Sequence, residues 1–146
     1  MPYRLRWEGH GVYRRFFGVV SAAEFRSAYE EVKSDIRYEG IRYVISDYLE
    51  AEASAEITAR DVEAFAVLER LSFYDSPDVV NATVATDERI LAGVRHYASL
   101  NLSPYPLGIF ATVEAARQWI ASNPRRGFVR PPQGGFTGRL TGAQSR

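Results

Sequence analysis

Ile41-Arg42-Tyr43-Val44-Ile45-Ser46-Asp47-Tyr48 is the stretch on which the fold turns. Gly40 precedes this β-branched and aromatic run, and an acidic, alanine-rich segment follows it. Odd positions carry Ile41, Tyr43 and Ile45; even positions carry Val44 and Tyr48. A strand apolar on both faces sits mid-sheet with both sides covered, whereas a half-solvated strand alternates cleanly. Amphipathic, capped helix patterns flank it in sequence.

Toward the N-terminus, Tyr3 to Glu8 alternates Tyr3, Leu5 and Trp7 with Arg4, Arg6 and Glu8, the period-two pattern of a half-buried strand. Gly9-His10-Gly11 supplies a turn, and Val12 to Val20 a second strand, so the pair reads as a hairpin. Gly9-x-Gly11 is not a dinucleotide loop, because a strand follows it and no third glycine arrives. Ser21-Ala22-Ala23-Glu24 is a capping box opening a helix with Phe25, Tyr29, Val32 and Ile36 on one stripe. Asp35 to Gly40 ends that helix and leads into the central strand.

Toward the C-terminus, Leu49 to Ile57 reads as a connection. Thr58, with Asp61 three residues on, caps a second helix reaching about Tyr74, with Val62, Phe65, Ala66 and Leu68 inward. Asp75 to Asp78 breaks it, and Val79 to Ala85 is a short strand. Thr86 or Asp87 caps a third helix bearing Ile90, Leu91, Val94, Tyr97 and Ala98. Asn101 to Pro106 is a turn, and Leu107 to Phe110 the last strand. Thr112 caps a final helix with Val113, Ala116, Trp119 and Ile120 on one face.

A chain of 146 residues with 46% apolar and 25% charged content is one globular domain with a real core. Lys plus Arg equal Asp plus Glu at 18 each, so nothing global argues for nucleic acid or an anionic membrane. The distribution is uneven: residues 1–122 form the domain, while 123–146 is rich in Gly, Pro and Arg. That tail holds five arginines and no acid, and reads as flexible. With Phe128 and Phe136 it has the composition of a nonspecific single-strand binder, but five charges are a weak footprint; the favoured reading is a solvated extension, and nucleic acid is not the expected partner. The absence of cysteine excludes disulfides and thiol chemistry. With no apolar leader and no stretch of membrane-spanning length, the expected location is the cytoplasm.

The order ββαβαβα, with Tyr3 to Trp7, Gly11 to Val20, Arg42 to Asp47 and Leu107 to Ile120, resembles the SpoIIAA-like (STAS-like) family of small bacterial proteins over residues 3–122. The resemblance implies an α/β domain: a mixed sheet of four or five strands with helices mostly on one face. It implies no activity. Anti-sigma-factor antagonists of that family carry an Asp-Ser-Ser-Gly-like sequence after the central strand, whose serine a kinase phosphorylates. Here Ala53 to Thr58 lacks it, and Ser54 and Thr58 are the nearest hydroxyls. Thr58 is fully explained as a helix cap; a phosphate there would also meet free amides and the positive helix end.

No catalytic constellation emerges, and no cofactor site or metal site is expected. His10 and His96 lack partners at ligand spacing, and no nucleophile elbow or phosphate-binding loop occurs. Glu50, Glu52 and Glu56 alternate with other residues as in a solvated loop, without a glycine to shape them around a cation. The excess of strand aromatics is the functional lead. If helices cover one side of the sheet, rings on the other side mark an interface; the candidates are Tyr3, Trp7, Tyr13, Phe17 and Tyr48. The expectation is a non-enzymatic module that forms a homodimer and binds a protein partner. The alternative, which the resemblance implies through that family's likeness to CRAL-TRIO lipid-transfer folds, is a small-molecule or lipid carrier with an apolar cleft between sheet and helices.

Overall fold

A computed structural model describes residues 2–72, 78–103 and 105–122. The elements run β1 (Tyr3–Glu8), β2 (Gly11–Val20), α1 (Ala22–Ser34), a 3-10 turn (Ile36–Gly40), β3 (Tyr43–Ala53), α2 (Ala59–Ser72), β4 (Val80–Val84), α3 (Glu88–Ser99), β5 (Leu107–Phe110) and α4 (Val113–Ser122). The five strands lie side by side in sequence order. β1 and β2 pair antiparallel across the Gly9-His10 turn; every later neighbour is parallel. This is the mixed α/β sheet that the resemblance implies, and the order is ββαβαβαβα, one strand and one helix longer than ββαβαβα.

The strand order dictates where the helices go. Each parallel step advances in the same direction, and right-handed crossovers then place α1, α2 and α3 on one face. α4 follows β5, the last strand among the described residues, and folds back onto the opposite face. Ala116 and Ile120 of α4 pack there on Ile45, Val80, Ala82 and Val84. β3 and β4 therefore bury both faces, as the doubly apolar run from Ile41 to Tyr48 requires. Outside α4, no helix among the described residues covers the β1–β2 side of that second face.

Local chemistry sets the boundaries. Ser21 Oγ accepts the Glu24 N–H at 3.2 Å while Glu24 reaches back to the Ser21 N–H at 2.8 Å, closing the capping box of α1. Asp87 is the α3 cap, accepting the N–H groups of Arg89 and Ile90. α3 ends before Asn101, whose positive φ of 54° is the left-handed turn that asparagine tolerates at a helix end. On the helix-covered face, Phe16 is fully buried and stacks on Tyr48 at 4.8 Å, with Phe25 at 5.3 Å. Rings in such pairs add about 0.5–1.5 kcal/mol to their area burial.

Three details differ from the sequence reading. β3 runs on to Ala53, so Leu49 to Ala53 is strand rather than connection. Pairing with β2, out to Val20 opposite Ala53, overrides the low β-propensity of Glu and Ala. Ile36 is 91% exposed because α1 ends at Ser34 and the chain turns into a 3-10 segment, off the helical stripe. Ala98 is likewise exposed. The end of the second helix at Tyr74 and the tail at 123–146 lie outside the described residues.

Candidate functional site

The helix-covered face departs from ordinary core patterning at its centre. Its inward positions read Val12, Arg14, Phe16 on β2 and Val44, Ser46, Tyr48 on β3. On β4 they are Asn81 and Thr83. Arg14 lies opposite Ser46, and Ser46 opposite Thr83, so a polar row crosses three central strands at one level. Polar side chains at core positions cost stability unless something uses them.

Above that row the helices stand off. α1 and α3 pack on the sheet, while α2 packs chiefly on α3. A cavity of about 440 Å³ opens between them, within the range of small-ligand sites. Its floor is Arg14, Ser46, Asn81 and Thr83; Phe25, Val62, Phe65, Leu68, Ile90 and Val94 form apolar walls. Small residues create the space. Gly93 lies on the inward stripe of α3 between Ile90 and Tyr97, and a Cβ added there would meet nothing within 4 Å. Glycine inside a helix costs roughly 1 kcal/mol relative to alanine, so here stability is given up where room is gained.

Charge sits in this cavity without ordinary pairing. Arg14 donates from Nε (3.2 Å) and Nη2 (2.7 Å) to the single acceptor Ser46 Oγ. Glu69 of α2 accepts from Tyr97 Oη at 3.1 Å and from Asn81 Nδ2 at 3.5 Å. Burial pushes the Glu69 carboxyl above the usual carboxylate range, against the opposing pull of Arg14 and its two donors. Burial, then the Glu69 charge, raises the Tyr97 phenol as well.

The uncovered part of the opposite face is organised differently. Tyr13 lies between Arg6 (4.7 Å) and Arg117 (5.8 Å), and Phe17 between Arg4 and Arg15, both at 5.9 Å. Arg15 pairs with Glu50, and Tyr13 donates to Asp47. Glu8 is the hub: Arg117 grips it with two bonds of 2.8 and 3.0 Å, and Tyr43 donates at 2.5 Å. Arg117, with Tyr43 and Arg6 in support, holds the Glu8 carboxyl down at about 2 despite its burial. The cluster ties α4 to β1 across the sheet. Gly11 belongs to it, since a Cβ there would come within 2.3 Å of the Tyr43 ring.

Structure comparison finds the same architecture in the anti-sigma factor antagonist SpoIIAA in its unphosphorylated form. Identity is 12% and the TM-score 0.56, over 82% of this chain and 98% of that one. The chain has a SpoIIAA-like fold. An uncharacterized protein of the DUF3478 family with a SpoIIAA-like fold, from Shewanella loihica PV-4, matches at 13% identity and a TM-score of 0.51, over 81% of this chain and 91% of that one. No family model matches the sequence, and no curated protein does.

Within this SpoIIAA-like fold the sequence candidates separate. Tyr3 and Tyr48 are 5% and 9% exposed beneath the helices, so neither belongs to a bare face. Trp7 shares their side, under the Arg37 guanidinium at 4.5 Å. Strand alternation leaves Tyr13 and Phe17 on the other side, half-buried among arginines. The grouping failed because ring count ignores the period of two. Glu50 and Glu52 are strand residues, and no metal-holding cluster of His, Asp or Glu occurs among the described residues. His96 lies 3.5 Å from Glu63. Thr58 immediately precedes α2, exposed, and shares a reciprocal cap with Asp61: its Oγ1 accepts the Asp61 N–H at 3.2 Å, and Asp61 accepts the Thr58 N–H at 2.9 Å. Ser54 Oγ accepts the Glu56 N–H at 3.2 Å in a turn. The sequence pass missed Arg14, Ser46, Thr83, Glu69 and Gly93. Their signal was present: a charge between Val12 and Phe16 where alternation calls for a core residue, and a glycine on an apolar helical stripe.

Proposed function

We propose that this domain is a non-enzymatic binding module whose site is the cavity beneath α1, α2 and α3. It takes a small amphipathic molecule, apolar body against the helices and polar group on the sheet. The supporting observation is the Arg14–Ser46–Thr83 row facing about 440 Å³ of space with apolar walls. A core that needed only stability would fill that space and exchange the row for aliphatic residues. This cavity is what supports the small-molecule alternative. Nile red titrated into the full chain should bind saturably with a blue-shifted emission. Gly93→Leu should weaken it about tenfold or more while Tm holds or rises. Absence of saturable binding, or an unaffected G93L variant, counts against the cavity.

A second reading is a regulatory module that pairs with its own copy and docks a protein partner. Val19 and Leu49, 62% and 42% exposed on β2 and β3 near half-buried Tyr13 and Phe17, support it. The arginines already stacked on those two rings weaken the need for a second copy. A phosphate on Thr58 would release partner binding by breaking the cap with Asp61, because a dianion beside that carboxylate repels it. Sedimentation at micromolar concentration discriminates: a dimer favours pairing, and monomer alone opposes it.

A further inference from the structure

We propose that the cavity's ligand is a carboxylate-bearing amphiphile, its carboxylate on Arg14 and its hydrocarbon chain against Phe25, Phe65, Leu68 and Ile90. This rests on the cavity reading and adds the head group. Arg14 leaves β2 between Val12 and Phe16, both fully buried, and its guanidinium lies 5.5 Å from the centre of the Phe16 ring. A guanidinium carries five N–H donors. Arg14 directs both of its hydrogen bonds to one hydroxyl, Ser46 Oγ, and its side chain lines the cavity. Among the described residues, the arginine ion pairs involve Arg6, Arg15, Arg26, Arg37, Arg95 and Arg117, and not Arg14. Arg14 attracts Glu69 across the cavity but forms no ion pair with it, and burial pushes that carboxyl toward its neutral form, so an arriving anion would be the first direct ionic partner of a cation partly removed from water.

The charge count selects a carboxylate. One guanidinium balances one negative charge, and planar carboxylates match its fork. A phosphate monoester would bring close to two charges into a cavity whose wall already holds Glu69. That carboxyl, held by Tyr97 and Asn81, repels an anionic head group whenever it is ionised, and a dianion more than a monoanion. Arg26 and Arg89 also line the cavity, but both are exposed and Arg26 already pairs with Glu30.

Calorimetric titration of the full chain with decanoic acid, decanol and decyl phosphate at neutral pH tests the assignment. Decanoate should bind about tenfold more tightly than decanol, with decyl phosphate no better than decanoate. Arg14→Met should reduce decanoate to the level of decanol without weakening decanol, and Arg14→Lys should keep part of the preference. Arg89→Met should leave the preference intact. R14M should keep most of its Tm, because removal of a half-buried charge offsets the lost bonds to Ser46 and the lost contact with Phe16. Equal affinity for decanol and decanoate, a preference that survives R14M, or stronger binding of decyl phosphate overturns the carboxylate while leaving the cavity in place. Failure of every decyl compound and of Nile red overturns both.

Discussion

Arg6, Arg15 and Arg117, on the α4 side of the sheet, each meet both a carboxylate and the face of an aromatic ring. Arg14, one residue along from Arg15 and on the opposite side, meets the Phe16 ring and a hydroxyl but no carboxylate. The first arrangement is complete in a single chain. The second sets a cation in the lining of a cavity with no ion-pair partner among the described residues. An arginine's meaning therefore comes from whether its partners are already present, and the two sides of one sheet give opposite answers.

The contrast can be broken from either side. Phe16 is the seam beneath the helices, fully buried against Tyr3, Phe25 and Tyr48. Phe16→Ala should cost about 3–5 kcal/mol in chemical denaturation. Glu8→Gln should cost about 2 kcal/mol, since Arg117 and Tyr43 lose their shared partner. Its acid limb should change too. The folded value of about 2 lies below the ordinary 4.5, so Glu8 contributes stability above the unfolded value and loses it as pH falls toward 2. E8Q should accordingly show a shallower loss of Tm in that window.

Glu69 has the opposite sign. Its folded value is raised, so between the ordinary glutamate value and the raised one the native chain keeps a proton that the unfolded chain has released. Stability therefore falls as pH rises through that window. Glu69→Gln, whose amide oxygen still accepts from Tyr97 and Asn81, should raise stability on the order of 1 kcal/mol at mildly alkaline pH and change little in acid. Smallest of all, Arg15→Ala on the open side should change stability by no more than about 0.5 kcal/mol and leave the sedimentation profile unaltered. A large loss there would mean that the stacked arginines hold more than their own rings.

The layout was legible because its signals are local. The Ser21–Glu24 box, the Asp87 cap, the alternation of Tyr3 to Glu8 and the doubly apolar run at Tyr43 to Ile45 each report on backbone state within a few residues. The cavity was not legible, because it is a relation between elements. Ser46 reads as an ordinary strand serine until β2 and β4 place Arg14 and Thr83 beside it. Gly93 reads as a weak spot in a helix until it is seen to line the same cavity as Ile90 and Tyr97. The aromatic residues misled for the same reason: counted along the chain, Tyr3, Trp7 and Tyr48 look like companions of Tyr13 and Phe17, and only strand alternation with the β1–β2 register parts them.

The most direct test of the ligand site compares the two sides in one experiment, by amide chemical-shift perturbation of the full chain on titration with decanol. Saturable shifts are predicted at Ser46, Ala53 and Gly93, which line the cavity, with Arg4, Phe17 and Val19 unmoved. Shifts confined to Phe17 and Val19, or none that saturate, would contradict the account.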